Sequence, residues 1–286
     1  MAIVLQATIV KNFIPPRKSS SRKGDNGKVL VIGGSYLYHG APVLSSLASL
    51  RTGADLVYTC VPKINVTATR SYSPNLIVVP LVDAKLTRGA ARKLLGIIPK
   101  ELDSATIGMG LGIQDREALK ILMKDLLDRA VMLSLDASAL VPEILSEIRD
   151  KKVTVTPHAG EFKRIFGELP PDNVKQRTAL VQKYAKDNGV TILLKGPTDI
   201  VSNGSKTFMN PKNLASMTVG GTGDVLSGIV AAMLCKNKNS VEAASAAVYV
   251  NGKAGALAQR KNGLHIVATD LLDFIPVAMK PFDRIK

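Results

Sequence analysis

Residues 219–234, VGGTGDVLSGIVAAML, set a glycine-rich turn directly before an apolar run and place one carboxylate, Asp224, at the junction. Val225, Leu226, Ile229, Val230, Met233 and Leu234 recur at the spacing of one helix face, which predicts a core helix with Asp224 in its first turn. At such a start the unpaired N–H groups of Gly221, Thr222 and Gly223 point outward and the helix dipole adds partial positive charge, so the turn is an anion site. The same dipole is expected to keep Asp224 ionised. The plain alternative is a capping role for Asp224, worth about 1 kcal/mol. Against it, Thr222 can already cap, and three glycines within positions 220–223 are costly unless something must approach the backbone closely.

Outward from this turn the chain alternates short apolar strands with helical patterns. Strands are predicted at KVLVIGG (28–34), DLVYTCV (55–61), LIVVPL (76–81), SATIG (104–108), VMLSLD (131–136), KVTVTP (152–157) and VTILLKG (190–196). Helical runs lie between them, such as APVLSSLASLR (41–51), stopped by Gly53, and DREALKILMKDLLD (115–128). Repeated strand–helix–strand units imply an α/β fold: three layers, with a mainly parallel central sheet covered by helices on both faces. TDIVSNGSKTFMN (198–210) differs, with two alternating runs around Asn203-Gly204 that predict a late β-hairpin. The last third reads as almost all helix. With no repeat, linker or composition break, one domain over 1–286 is expected, with 1–27 as a basic N-terminal arm whose charged part, RKSSSRKGDNGK (17–28), runs into the first strand at Lys28.

Composition restricts the partners. The chain has 286 residues, 46% hydrophobic, enough for a large core. A formal net charge of +15 favours anionic partners, whether nucleic acid, membrane surface or small phosphorylated molecules. Two cysteines far apart in apolar surroundings, Cys60 and Cys235, suit free thiols in a reducing compartment, so a cytoplasmic location is expected. No apolar run approaches the length of a membrane span, and the N-terminus lacks the charge order of a secretory signal. A nucleic-acid-binding protein is the distant alternative, motivated by charge alone. Aromatics are only 4%, and no helix-turn-helix, zinc-finger or aromatic RNA-binding signature is present.

Two familiar phosphate motifs are excluded. Counting on from Gly221 and Gly223 puts Leu226 where a dinucleotide fingerprint needs its third glycine, and no Walker-type loop occurs. An acid at a phosphate-binding turn points instead to a carboxylate that takes a proton from a hydroxyl while backbone amides hold the transferring phosphoryl group.

GGTGDVLSG (220–228) resembles the glycine–aspartate turn of the ribokinase-like superfamily, and the chain is similar nearly end to end to one branch of it, the ADP- or ATP-dependent NAD(P)H-hydrate dehydratases. In order the resemblance runs through KGDNGKVLVIGGS, YHGAPVLSSLASLRTGADLV, SPNLIVVPL, IGMGLG, LDASAL, TPHAGEF, LLKGPTDIV and VGGTGDVLSGI. It implies a repair reaction: the ring hydroxyl of the S epimer of hydrated NADH or NADPH is phosphorylated from ADP or ATP, and elimination of phosphate restores the coenzyme. It also implies the site residues. Asp224 would be the base, also touching substrate, and Gly221, Thr222 and Gly223 the anion hole. Lys195, Gly196, Pro197, Thr198 and Asp199 would bind nucleotide; Ala41, Gly110, Gly112 and His158 would contact the hydrate. Glu161 would help hold Mg²⁺ through water.

Three positions depart from the family pattern. Met109 replaces a usual proline, Ser138 a common second aspartate, and Ser216 a usual glycine. The dehydratase pattern leaves no room for the epimerase domain of many relatives, so either a separate epimerase on another chain or slow spontaneous exchange of the epimers is expected. Relatives are often homo-oligomers, and VEAASAAVYVNGKAGALA (241–258) could pack against a second copy or form core. A vitamin-precursor kinase of the same fold is the nearer alternative, and the TPHAGE block argues against it.

Overall fold

Short runs of Val, Ile, Leu and Thr end in glycine, proline or a charged residue along the chain, and ten of them pair into one sheet. The computed structural model describes residues 2–211 and 214–286. The strands are β1 (Ile3–Val4), β2 (Lys28–Ile32), β3 (Leu56–Pro62), β4 (Ile77–Leu81), β5 (Ser104–Ile107), β6 (Met132–Leu135), β7 (Val153–Val155), β8 (Thr191–Leu194), β9 (Thr198–Ser202) and β10 (Thr207–Pro211). Their order across the sheet is β1-β10-β9-β8-β7-β6-β5-β2-β3-β4. All pairings from β4 to β8 are parallel; β9 runs antiparallel to both β8 and β10, and β1 closes the far edge parallel to β10. The hairpin expected at Asn203-Gly204 is the β9–β10 turn.

The helices are α1 (Ala7–Phe13), α2 (Gly40–Arg51), α3 (Val66–Tyr72), α4 (Arg88–Ile97), α5 (Arg116–Asp128), α6 (Leu145–Ile148), α7 (Ala159–Phe166), α8 (Val174–Asn188), α9 (Thr222–Lys236), α10 (Ser240–Asn262) and α11 (Ala268–Met279). Alternation along the strands sorts them into two layers. In β8, Ile192 and Leu194 join one core with α4, α5, α7 and α8, while Leu193 between them points to the other, built with α1, α2, α9, α10 and α11. Residues 3–13, which the sequence reading left in the basic arm, supply β1 and α1, and α1 buries Val10 and Phe13 in that second core. The rest of the arm docks as well: Arg17 bridges to Ile285, and Asp55 accepts from Arg17 and from the Gly24 and Asn26 N–H groups.

Helix α9 is the axis of the second layer. Its residues 225–234 are all buried, as the apolar pattern requires of a helix with no solvent face. Small and hydroxyl side chains let it lie close: Ser104 donates to the Ala231 carbonyl at 2.7 Å, Thr106 bonds Ser227 at 2.7 Å, and Ser49 of α2 donates to the Gly228 carbonyl at 2.9 Å. A Cβ on Gly228 would stand 2.0 Å from the Ser45 carbonyl oxygen. Gly228→Ala is therefore expected to lower Tm by about 3–10 °C through overpacking against backbone. Gly96→Ala, in open space on α4, is the matched control and raises stability slightly. Equal melting of the two variants in calorimetry would refute this account of α9.

The alanine-rich stretch 241–258 is core: α10 buries Ala243, Ala244, Ala246, Ala247, Ala254 and Ala258 within the chain, so that stripe offers no face to a second copy. Cys60 and Cys235 are free thiols. Among the described residues no helix is long and apolar enough to cross a membrane.

Candidate active site

Strands β2 and β5 are neighbours although the chain visits β3 and β4 between them. From β2 the chain moves one way across the sheet, and from β5 the other, which leaves a crevice beyond the carboxyl ends of the strands where open α/β sheets take ligands. The turns after β2 and β5 meet there. The Gly34 N–H donates to the Met109 carbonyl at 2.9 Å, and Met109 itself is wholly buried, filling the place of the usual proline by packing on Gly33. At Gly110, φ is +63° and a Cβ would lie 2.6 Å from Tyr38 Cβ and 3.3 Å from Ala41 Cβ, so only glycine allows this approach. Ala41 and Gly110 thus meet, together with Tyr38, while Gly112 faces Ser35 and Lys85 beside them.

Further along the same edge β6 leads into Asp136, β7 into His158 and Glu161, and β8 into Lys195. The backbone fixes their places: Asp136 N–H donates to the Ile107 carbonyl at 3.0 Å and Lys195 N–H to the Pro157 carbonyl at 2.8 Å. Arg164 pins the 137–140 turn, donating from Nε to the Leu140 carbonyl at 2.8 Å and from its terminal nitrogen to the Ala137 carbonyl. Lys195 Nζ lies 2.8 Å from Asp136 Oδ1 and 3.6 Å from Glu161 Oε2. Asp136 is 2% exposed and Glu161 7%. Burial alone would lower the Lys195 ammonium, but these two carboxylates outweigh it and hold the pKa above the ordinary lysine value.

Asp224 stands beside this trio. Gly221 precedes its helix with φ +93°, and Thr222 Oγ1 donates to the Met217 and Val219 carbonyls at 3.0 and 3.1 Å, tying the turn rather than capping the helix. The Asp224 carboxylate caps nothing: among the described residues it has no hydrogen bond or ion pair. Burial first, and then the Asp136 and Glu161 charges, push its pKa up to about 7 against the pull of Lys195. This corrects the expectation that the helix dipole keeps it ionised. A half-charge at a helix end is a smaller effect than withdrawal from water next to two acids.

His158 has a task the sequence did not suggest. Its Nδ1 accepts the Gly160 and Glu161 N–H groups at 3.0 and 3.2 Å while Glu161 Oε2 accepts the His158 N–H at 2.9 Å, a reciprocal cap on α7. The ring proton is therefore on Nε2, and the side chain stays 59% exposed.

A cavity of about 480 Å³, of a size for a small-molecule ligand, opens beside the start of α9. Its polar lining is Lys195, Gly196, Thr222, Gly223 and His158, with Pro197 alongside; its apolar lining is Leu214, Ala215, Met217 and Leu226, with Thr218 and Asn251. Lys195, Gly196, Pro197, Thr222 and Gly223 are thus brought together as one wall. Thr198, Asp199 and Gly221 are not: Thr198 pairs with Pro211 in the hairpin, buried Asp199 accepts the Gly196 N–H at 3.1 Å and braces the turn from behind, and Gly221 faces Leu44 and Ala268. His158 lines this cavity, whereas Ala41, Gly110 and Gly112 do not. Asp224 lies at the junction, its Oδ2 4.0 Å from the point where a Gly221 Cβ would sit, a point that is 2.9 Å from Leu44 on α2. Ser216, in the place of a usual glycine, ties the 215–218 turn to α10 by donating to Gln259 Oε1 at 2.6 Å.

A larger cleft of about 690 Å³ at the other end of α9 is lined by Arg17, Lys18, Arg51, Lys236, Arg284 and Lys286. Two of those cations serve helix carboxyl ends: Lys236 Nζ donates to the Thr52 carbonyl at 2.7 Å, and Arg284 donates to the Lys11 and Ile14 carbonyls at the end of α1. A phosphate there would face the negative ends of α2 and α9; at the glycine turn it faces the positive end.

Sequence reasoning missed Asp136 and Asn251. A carboxylate closing an apolar strand was the available signal for Asp136; Asn251, inside an alanine-rich helix, gives none.

Comparison with known proteins shows which family the chain is similar to. A family model described as NAD(P)H-hydrate dehydratase matches residues 29–277. The ADP-dependent (S)-NAD(P)H-hydrate dehydratase of Nitrosopumilus maritimus is 63% identical over 281 residues, 98% of each chain. Among solved structures, the ADP/ATP-dependent NAD(P)H-hydrate dehydratase of Bacillus subtilis, co-crystallised with ATP and Mg²⁺, superposes with a TM-score of 0.85 at 26% identity over 99% of both chains. A ribokinase-like superfamily protein of Enterococcus faecalis gives 0.84 at 26% identity, covering 99% of this chain and 97% of that one.

Proposed function

Because the chain belongs to the NAD(P)H-hydrate dehydratase family, we propose that it restores NADH and NADPH from the S epimers of their hydrates at the expense of ADP, with Asp224 as the base. The observation that carries the assignment of the base is its state: a half-buried carboxylate without a protein partner, its pKa pushed up to about 7, next to the amides of an anion-binding turn.

Hydration leaves a hydroxyl on the carbon beside the ring nitrogen, and hydroxide is a poor leaving group. Asp224 takes the hydroxyl proton as the oxygen attacks the terminal phosphoryl group of ADP. The new O–P bond forms while the bond to AMP breaks. The Thr222 and Gly223 N–H groups and the Lys195 ammonium hold the phosphoryl oxygens, stabilising charge where it develops. The ring nitrogen then expels phosphate, the adjacent carbon loses a proton, and the double bond returns. Ala41, Gly110 and Gly112 receive the hydrated ring beside Asp224, and His158 offers its Nε2–H at the junction.

Among the described residues no cluster of three or more acids, histidines or cysteines is arranged to hold a metal. One or two carboxylates nevertheless suit a Mg²⁺ that arrives on the nucleotide and keeps its waters. Glu161 and Asp136 would hold it in that way, and when bound it neutralises phosphate charge.

The test is direct. NADH hydrate and Mg²⁺ are mixed with the protein and either ADP or ATP, and dihydropyridine absorbance and free phosphate are followed. Recovery that needs nucleotide and releases AMP and phosphate in equal amounts is the expected result. A stable phosphate ester as product, or no recovery with hydrate that a proven dehydratase repairs, would overturn the reading.

A further inference from the structure

One cavity-lining residue is left without a partner. Asn251 of α10 is 3% exposed, lines the cavity beside α9, and its Oδ1 has no hydrogen-bond partner. Its amide nitrogen makes no hydrogen bond among the described residues either. Buried polar groups in folded proteins are satisfied in the great majority of cases, so an orphaned carboxamide in a ligand cavity marks a missing partner. The hydroxyls of Ser45, Ser134, Thr154 and Ser245 also lack partners, but they lie in the packed core and none lines the cavity.

The surroundings hold this side chain in place. Asn251, Gly255 and Gln259 form one row of α10 facing the 215–218 turn. A Cβ on Gly255 would meet Met217 Sδ at 2.3 Å, and Gln259 accepts the Ser216 hydroxyl. The turn and the helix are thus locked together, and Asn251 is set in the wall that also holds Leu214, Ala215, Met217 and Leu226. That wall is apolar, as suits a flat aromatic base. The phosphates of the same ligand belong with Lys195, Thr222 and Gly223.

We infer that Asn251 reads the adenine of the phosphoryl donor, its Oδ1 accepting from the 6-amino group and its Nδ2 donating to a neighbouring ring nitrogen. A carboxamide makes this two-point contact with an adenine edge in other settings. The inference rests on the nucleotide reading of the cavity given above. It makes Asn251 a specificity residue, remote from the reacting atoms, whose removal acts on nucleotide affinity and base choice.

Calorimetric titration of the full chain with ADP and with purine riboside diphosphate, which lacks the 6-amino group, tests it. Wild type is expected to favour ADP by about 10- to 100-fold. Asn251→Leu, similar in volume but apolar, should bind ADP as weakly as the analogue while its affinity for the analogue stays unchanged. Its Tm without ligand should equal or exceed that of wild type, because the orphaned group is gone. Asn251→Ala repeats the comparison if the leucine variant does not fold. A variant that keeps the wild-type preference, or a wild type with no preference, overturns the role of Asn251 while leaving the nucleotide site standing. Wild type that binds neither diphosphate overturns both.

Discussion

Replacing Asp224 by asparagine is expected to lower turnover of the hydrate by about 10²- to 10⁴-fold while leaving ADP binding largely intact. The same change should make the protein more stable at pH 8. In the folded chain the carboxyl titrates near 7, against an ordinary value of 3.8. A folded pKa above the unfolded one means that the native state holds its proton more tightly. Below about pH 4 both states are protonated and the group is neutral to stability. Between there and pH 7 the unfolded state releases its proton first, so stability falls as pH rises, and the full cost stands above 7. Asparagine has no charge to bury, and a gain of about 1–3 kcal/mol at pH 8 is expected from denaturant titration. In wild type, kcat/KM should climb about tenfold per pH unit below 7 and level off above it, since the base must be ionised in the free enzyme. A variant with near-normal turnover and no gain in stability would return Asp224 to a structural role.

Lys195→Met should be the more damaging change to the molecule as a whole. It removes an ammonium expected to hold phosphoryl oxygens, for a loss of about 10²- to 10³-fold in kcat/KM. It also strands Asp136, 2% exposed, without the cation 2.8 Å away. Breaking a buried pair from one side costs about 3–5 kcal/mol. Adding Asp136→Asn should restore most of the stability and little of the activity, a non-additive cycle that separates the two roles. The pH profile supplies a further check. Asp136 raises the Asp224 pKa and Lys195 lowers it, so Asp136→Asn alone should move the inflection below 7 and Lys195→Met alone should move it above. Additive stability losses in the double variant would dismiss the pairing.

Much of this architecture was written locally. Runs such as KVLVI and TILL are strands because β-branched and aliphatic side chains fill both faces of a covered sheet, and the Asn203-Gly204 pair suffices to turn a hairpin. The burial of Val225, Leu226, Ile229, Val230, Met233 and Leu234 followed from their spacing, while that of Ser227, Gly228, Ala231 and Ala232 came from packing on the opposite side. What failed to show depended on distant partners. Ile3-Val4 becomes a strand only because β10 leaves an edge open, and α1 is core only because α10 covers it. Asp224 titrates near 7 because strand ends far away in sequence bring Asp136 and Glu161 beside it. The cap made by His158 escaped notice since histidine is not among the usual capping residues. Thr198 and Asp199, grouped with Lys195 by the family resemblance, part from it because the chain enters the hairpin at that point and alternation turns them elsewhere.

The sheathing of α9 bears on what happens when the molecule loosens. With 225–234 enclosed by the sheet and by α2, α10 and α11, the amide protons of this buried stretch have no local route to solvent and are expected to exchange only when the layer opens. The helix that carries the proposed base therefore has no melting step of its own. Any opening that frees 225–234 also displaces the first turn that holds Asp224.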